Sequence, residues 1–170
     1  MQILRDLPGN AALDIPDNHF RTMTLHRVSF ALDSSLESVN QAEETALQFA
    51  TESGFSEDEA QRISMAVREG VVNAVLHGNQ YDPKKKVRIS FEVNGTALVV
   101  RIADEGAGLD IENVPDPLAP ENLLKTSGRG IFLIRAFMDE VQFRKLNPGT
   151  EITLIKNVSG ASAGAKESSQ

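Results

Sequence analysis

Glu69 and Asn73 stand four residues apart in EGVVNAVLHGN, a segment whose remaining positions are mostly apolar. On a helix, residues four apart share a face. A carboxylate and an amide buried side by side cost free energy unless each finds a partner. A Mg²⁺ ion held by the Asn73 oxygen and by phosphate oxygens would satisfy the amide, since Mg²⁺ takes oxygen ligands and keeps several waters. The neighbouring Glu69 carboxylate could then orient or deprotonate an attacking hydroxyl. The same pair also suits a plain helix end, with Asn73 bonded to the turn His77-Gly78-Asn79.

Three further sites lie downstream. Asp104-Glu105-Gly106-Ala107-Gly108 follows a strand-like run. A strand-end Asp can accept a hydrogen bond from an exocyclic amine, and Gly106 and Gly108 let backbone approach a ligand closely. The third Gly and immediate helix of a dinucleotide fingerprint are missing. Ser127-Gly128-Arg129-Gly130 opens a helix, where free N–H groups and the helix dipole bind phosphate. It is not a Walker A loop. Gly149-Thr150 enters the last strand and by itself is a hairpin turn. Each of these sites, taken alone, also reads as an ordinary turn or cap. His77, a lone His near a helix end, reads as a capping or hydrogen-bonding residue.

The elements that must position these residues are legible from period and punctuation. Val28, Phe30 and Leu32 alternate as in a strand. Asp33-Ser34-Ser35 signals a helix N-terminus, and Leu36 to Thr51 carries Leu36, Val39, Ala46, Leu47 and Ala50 near helical spacing, with Gly54 placed to end it. Ser56 and Glu59 form a capping-box pattern. The helix they open runs to about Leu76, with a core stripe of Ile63, Val67, Val71 and Ala74. Val87–Val93 and Ala97–Ala103 flank Asn94-Gly95, a hairpin signal. From Gly106 to Gly130 the chain is rich in Pro, Asp, Asn and Gly, and connections this long inside a compact domain are often functional. A helix is expected from Gly130 to Met138, with Phe132, Leu133, Phe137 and Met138 as core. Two closing strands, 140–145 and 151–156, follow. This order predicts an α+β, two-layer sandwich: a mostly antiparallel sheet with helices on one face. Residues 1–22 read as an N-terminal extension, 23–157 as one domain, and 158–170 as a low-complexity, disordered tail.

Composition narrows the function. The chain has 170 residues, 41% hydrophobic and 24% charged, ordinary for a globular protein. It contains no Cys, which excludes disulfides, thiolate metal sites and cysteine nucleophiles. A net charge of −7 argues against direct nucleic-acid binding as the main role. No apolar stretch approaches the roughly 20 residues of a membrane span, and the first residues do not form a signal peptide. A cytoplasmic location is the expectation.

Together the four sites resemble, in order and spacing, the GHKL ATPases with the Bergerat ATP-binding fold, over roughly residues 27 to 157. EGVVNAVLHGN, DEGAGLD, DPLAPENLLKTSGRGIFLIRAFMDEV and GTEITL are most similar to anti-sigma factor serine/threonine kinases of the RsbW and SpoIIAB type. The resemblance implies ATP and Mg²⁺ as cofactors, Glu69 as catalytic base and Asn73 as the Mg²⁺ ligand. It places Asp104 on the adenine amino group, with Gly106 and Gly108 shaping the pocket floor. It makes Asp110–Ser127 an ATP lid, brings Gly128, Arg129 and Gly130 to the phosphates, and sets Thr150 near the adenine. Relatives often carry Arg just before the Ser-Gly of the lid, where this chain has Thr126, so Lys125 or Arg129 is expected to supply that cation. The implied partners are an anti-anti-sigma protein with a STAS-type fold, as phosphoacceptor, and a sigma factor, with a homodimer as the assembly. Two other readings are a detached histidine-kinase catalytic domain and an ATP-gated binder without kinase activity. His19, His26 and His77 do not sit in a dimerising helix pair, which disfavours the first. Glu69 beside Asn73 disfavours the second.

Overall fold

The computed structural model describes residues 26–108 and 126–158. Its elements are β1 (His26–Asp33), α1 (Leu36–Glu52), α2 (Glu57–Val72), β2 (Lys86–Val93), β3 (Ala97–Ala103), α3 (Thr126–Phe137), β4 (Glu140–Lys145) and β5 (Thr150–Asn157). The five strands form one antiparallel sheet in the order β1-β2-β3-β5-β4. β5 therefore returns between β3 and β4, so the end of β3 meets the start of β5, with Ala103 opposite Glu151.

Alternation in the strands places one face against the helices. Val87, Ile89 and Phe91 of β2, Leu98, Val100 and Ile102 of β3, and Ile152 and Leu154 of β5 are buried. They share a core with Ile63, Val67, Val71 and Ala74 of α2, the stripe read from the sequence. In α1, Val39, Ala46 and Ala50 are buried as expected, joined by Ala42 and Phe49, but Leu36 is 61% exposed. It belongs to the first helical turn, beyond the edge of the core. Ser35 caps α1 by accepting from the Ser38 N–H, and Ser56 and Glu59 close the capping box at α2. Gly54 leaves α1 with φ +88°, the left-handed backbone that ends helices.

Two boundaries differ from the sequence reading. α2 does not continue as an α-helix to Leu76: residues Asn73–Gly78 form a π-helical turn, closed by the Asn79 N–H on the Ala74 carbonyl. Such wide turns accommodate an extra residue within a helix and recur at functional sites. α3 starts at Thr126 rather than Gly130. Of the apolar side chains described there, Ile134 and, just beyond α3, Met138 are buried, while Phe132 is 44% exposed and Leu133 and Phe137 are half-buried. The expected lid, Asp110–Ser127, lies outside the described residues except for its last two, which open α3. The expected extension 1–22 and most of the expected tail 158–170 also lie outside them, as does Lys125.

Candidate nucleotide site

Helix α2 carries the first half of the site. The Asn73 N–H still bonds to the Glu69 and Gly70 carbonyls, so helical geometry holds through this pair and the side chains project from one face. Both residues are half-buried. Opposite them stands Gly130 of α3: a Cβ there would lie 2.8 Å from Glu69 Oε2 and 3.8 Å from both the nitrogen and the oxygen of the Asn73 amide. The Gly therefore sits in a helix interior, against its own propensity, because the neighbouring helix brings a carboxylate to that spot. Neither the Glu69 carboxylate nor the Asn73 amide hydrogen-bonds to any described residue. The alternative of an Asn73 side chain tied to the 77–79 turn is thus not what the fold builds. Gly128 and Arg129 lie in the first turns of the same α3, and Arg129 is exposed.

The second half lies where β3 ends. Asp104 is 7% exposed. Its Oδ1 accepts the Gly106 N–H at 2.9 Å and the Thr150 N–H at 3.2 Å, while its own N–H donates to the Thr150 carbonyl at 3.0 Å. Burial pushes its carboxyl above the ordinary value, and the two N–H bonds and the Lys85 charge only partly offset this. Backbone crowds the group on two sides. A Cβ at Gly78 would come within 2.5 Å of Asp104 Oδ2, and one at Gly149 within 2.0 Å of the Asp104 carbonyl oxygen. Gly106 packs on the Gly78 carbonyl, 2.2 Å from where its own Cβ would be. Gly108 takes φ +88° beside Gly149 and the Lys145 side chain. Asp104, Gly106, Gly108 and Thr150 are therefore one cluster, as the sequence motifs anticipate. Gly149 joins it from the Gly149-Thr150 turn, and Gly78 and Lys85 join it without having been assigned to this cluster. Gly78 had a legible signal, a glycine directly after the helix, but its contact with Asp104 spans too much sequence to be read.

Asn79 is the site's least anticipated member. It has no exposed surface. Its Nδ2 donates to Ser34 Oγ at 2.8 Å and to the Lys86 carbonyl at 3.0 Å, and its Oδ1 accepts the Glu105 N–H at 2.8 Å. His77, by contrast, is exposed on the π turn.

This architecture has known counterparts. A family model described as the histidine kinase-like ATPase domain matches residues 32–156. The chain belongs to that family, in its anti-sigma factor branch. An anti-sigma F factor of Anoxybacillus flavithermus is 38% identical over 111 residues, 62% of this chain and 75% of the relative. The anti-sigma F factor of Geobacillus kaustophilus is 35% identical over 124 residues, 70% of this chain and 84% of the relative. The serine-protein kinase RsbW of Bacillus subtilis is 31% identical over 117 residues, 65% of this chain and 72% of the relative. Among solved structures, the RsbU and RsbW domains of a Mycobacterium tuberculosis protein align with a TM-score of 0.57 at 19% identity. That alignment covers 77% of this chain and 32% of the other, and it bears on the fold alone. The family's shared chemistry is ATP use. Among the described residues no cluster of His, Cys, Asp or Glu could hold a metal ion by itself, and no helix is long and apolar enough to cross a membrane.

Proposed function

We propose that this chain is a protein serine/threonine kinase of the anti-sigma factor type, binding Mg-ATP with adenine at Asp104 and phosphates between α2 and α3. The observation that carries this reading is the pair of side chains of Glu69 and Asn73: polar, half-buried, facing Gly130, and bonded to no described residue. Their polar atoms are reachable from outside and uncommitted within the fold, which leaves them open to a ligand. Mg²⁺ fits the donor set, because Asn73 offers one oxygen and a polyphosphate would provide the others. When bound, Mg-ATP brings the phosphoryl group and the charge neutralisation.

The chain's own residues then do the following. Glu69 takes the proton of a partner's Ser or Thr hydroxyl as its oxygen bonds to the γ-phosphorus and the bond to the β-phosphate oxygen breaks. Asn73 would hold the metal. Gly128, Arg129 and Gly130 of α3 would meet the phosphates. Thr150 supports the adenine end through its backbone bonds to Asp104. Positioning and charge stabilisation supply most of the rate in such transfers. The phosphoacceptor is an anti-anti-sigma protein of STAS-type fold, and the alternative partner is a sigma factor that the kinase sequesters as a homodimer in the cytoplasm. The names of the relatives, anti-sigma F factor and serine-protein kinase, support the sigma factor as partner and a protein serine as acceptor.

Incubation with γ-labelled ATP and a panel of STAS-domain proteins tests it. Label should appear on Ser or Thr of one panel member and depend on Mg²⁺. ATP binding with no transfer to any panel member would instead favour an ATP-gated binder.

A further inference from the structure

Between the two halves of the site runs one covalent path, the π turn from Asn73 to Gly78, and it ends on Asn79. The Asn79 amide uses all of its donors and an acceptor on three different parts of the fold. Its Nδ2 reaches Ser34, at the junction of β1 and α1, and the carbonyl of Lys86, at the start of β2; its Oδ1 takes the N–H of Glu105, next to Asp104. Ser34 Oγ in turn donates to the Lys85 carbonyl at 2.8 Å, fixing the residue whose charge faces Asp104. The two residues after Asn79 are held in left-handed backbone, Gln80 at φ 53° and Tyr81 at φ 57°. Non-glycine residues stay there only when the surroundings over-determine them, and the Asn79 bonds are the tertiary anchor beside them.

The N–H groups of residues 104–106 show what each anchor does. Asp104 N–H goes to β5 and Gly106 N–H goes to Asp104 itself, so only the Glu105 N–H is tied to the helix side. We infer that Asn79 is a positioning residue for base recognition: it locks the end of α2 to the end of β3 and so sets where Asp104 meets the adenine amine. This rests on the nucleotide-site reading above and adds to it a residue that touches no ligand.

The test compares ATP with purine riboside triphosphate, which keeps the ring and phosphates but lacks the exocyclic amine. The ratio of the two affinities isolates the Asp104 contact. Loss of folded protein, or damage at the phosphate end, cancels in that ratio. Wild type should prefer ATP by about 10- to 100-fold, the range for a hydrogen bond to a charged group. Asn79→Asp keeps an acceptor for Glu105 but sets a carboxylate oxygen against the Lys86 carbonyl, and the preference should fall about tenfold. Ser34→Ala, which removes the Asn79 anchor together with the bond to the Lys85 carbonyl, should lower it in the same direction and carries the test should Asn79→Asp not fold. Ser64→Ala is the control: its hydroxyl is equally buried, bonds within α2 to the Gln61 carbonyl at 2.8 Å, and lies away from the site. It should lower the melting temperature and leave the ratio alone. An undiminished preference in folded Asn79→Asp, or in Ser34→Ala where that variant is the one tested, overturns the inference and makes Asn79 a fold residue only. Equal affinity of wild type for both nucleotides overturns the reading of Asp104 itself, and the inference with it.

Discussion

At the end of β3, Asp104 is 7% exposed and its Oδ1 already accepts two backbone N–H bonds, whereas Glu69 and Asn73 on α2 are half-buried and their side chains bond to no described residue. Glycines serve both places, in opposite ways. Gly78, Gly106 and Gly149 are crowded by backbone or by the root of a fixed side chain, while Gly130 is crowded only by the tip of the Glu69 side chain. The Asp104 cluster is thus assembled by folding, and its parts hold one another. The Glu69 and Asn73 side chains are uncommitted within the fold. On the proposed reading, preorganised base recognition sits beside groups that await the phosphates.

Substitutions can break that contrast. The largest effect is expected at Glu69→Gln, which keeps the side chain's shape and removes its basicity. Single-turnover phosphorylation of the partner should fall about 100- to 10,000-fold, with melting temperature and Mg-ATP affinity near wild type. Undiminished phosphorylation would refute the catalytic role of Glu69.

Asp104→Asn should cut ATP affinity about 10- to 100-fold, the loss expected for a hydrogen bond to a charged group. It should also stabilise the empty protein at neutral pH. The folded carboxyl titrates above its ordinary value because burial disfavours its charge. Relative to the unfolded chain, folding then favours the protonated form. That advantage is full below the unfolded value of 3.8 and is lost as pH rises through the higher folded value. At pH 7 wild type carries the penalty and the Asn variant does not. The difference in melting temperature should shrink as pH falls towards 3.8. A variant less stable than wild type at pH 7 would show that the N–H bonds outweigh desolvation.

The two glycine substitutions sharpen the comparison further. Gly78→Ala drives a Cβ into the fixed Asp104 carboxylate and should destabilise by about 1–3 kcal/mol, the usual range for overpacking. Gly130→Ala meets only a movable carboxylate tip, and Ala is the better helix former by about 1 kcal/mol. Its melting temperature should match or slightly exceed that of wild type. Equal losses in chemical denaturation would mean that the phosphate end is as rigid as the adenine end.

Much of this was readable in the residues. Val87 to Ala103 with Asn94-Gly95 forms the hairpin expected of it, and the Ser56–Glu59 capping box forms as written. The α+β class and the antiparallel sheet follow from the order of elements. Local pattern reports which side chains share a face, and it stops there. It assigned Phe132 to the core and set Leu36 on the apolar spacing of α1, although both are exposed, because apolar character does not say whether a neighbour will cover it. It placed the start of α3 at Gly130, since two glycines look like a loop until a carboxylate from another helix explains one of them. Two of the three partners of Asn79 lie 45 and 26 residues away, and Thr150 is 46 from Asp104. Distances of that kind are fixed by topology, and the family resemblance made Asp104 and Thr150 legible while leaving Asn79 unseen.

The strand order also sets a timetable for synthesis. Because β5 slots between β3 and β4, a ribosome that has released β1, β2 and β3 has made a half-sheet whose inner edge is still bare. Asp104 emerges without the Thr150 backbone that brackets it, and nothing made before β5 can substitute. Unpaired edges of this kind invite association with other chains. The bare sheet edge and the unbracketed Asp104 thus persist together during synthesis, and the same late strand closes both gaps at once.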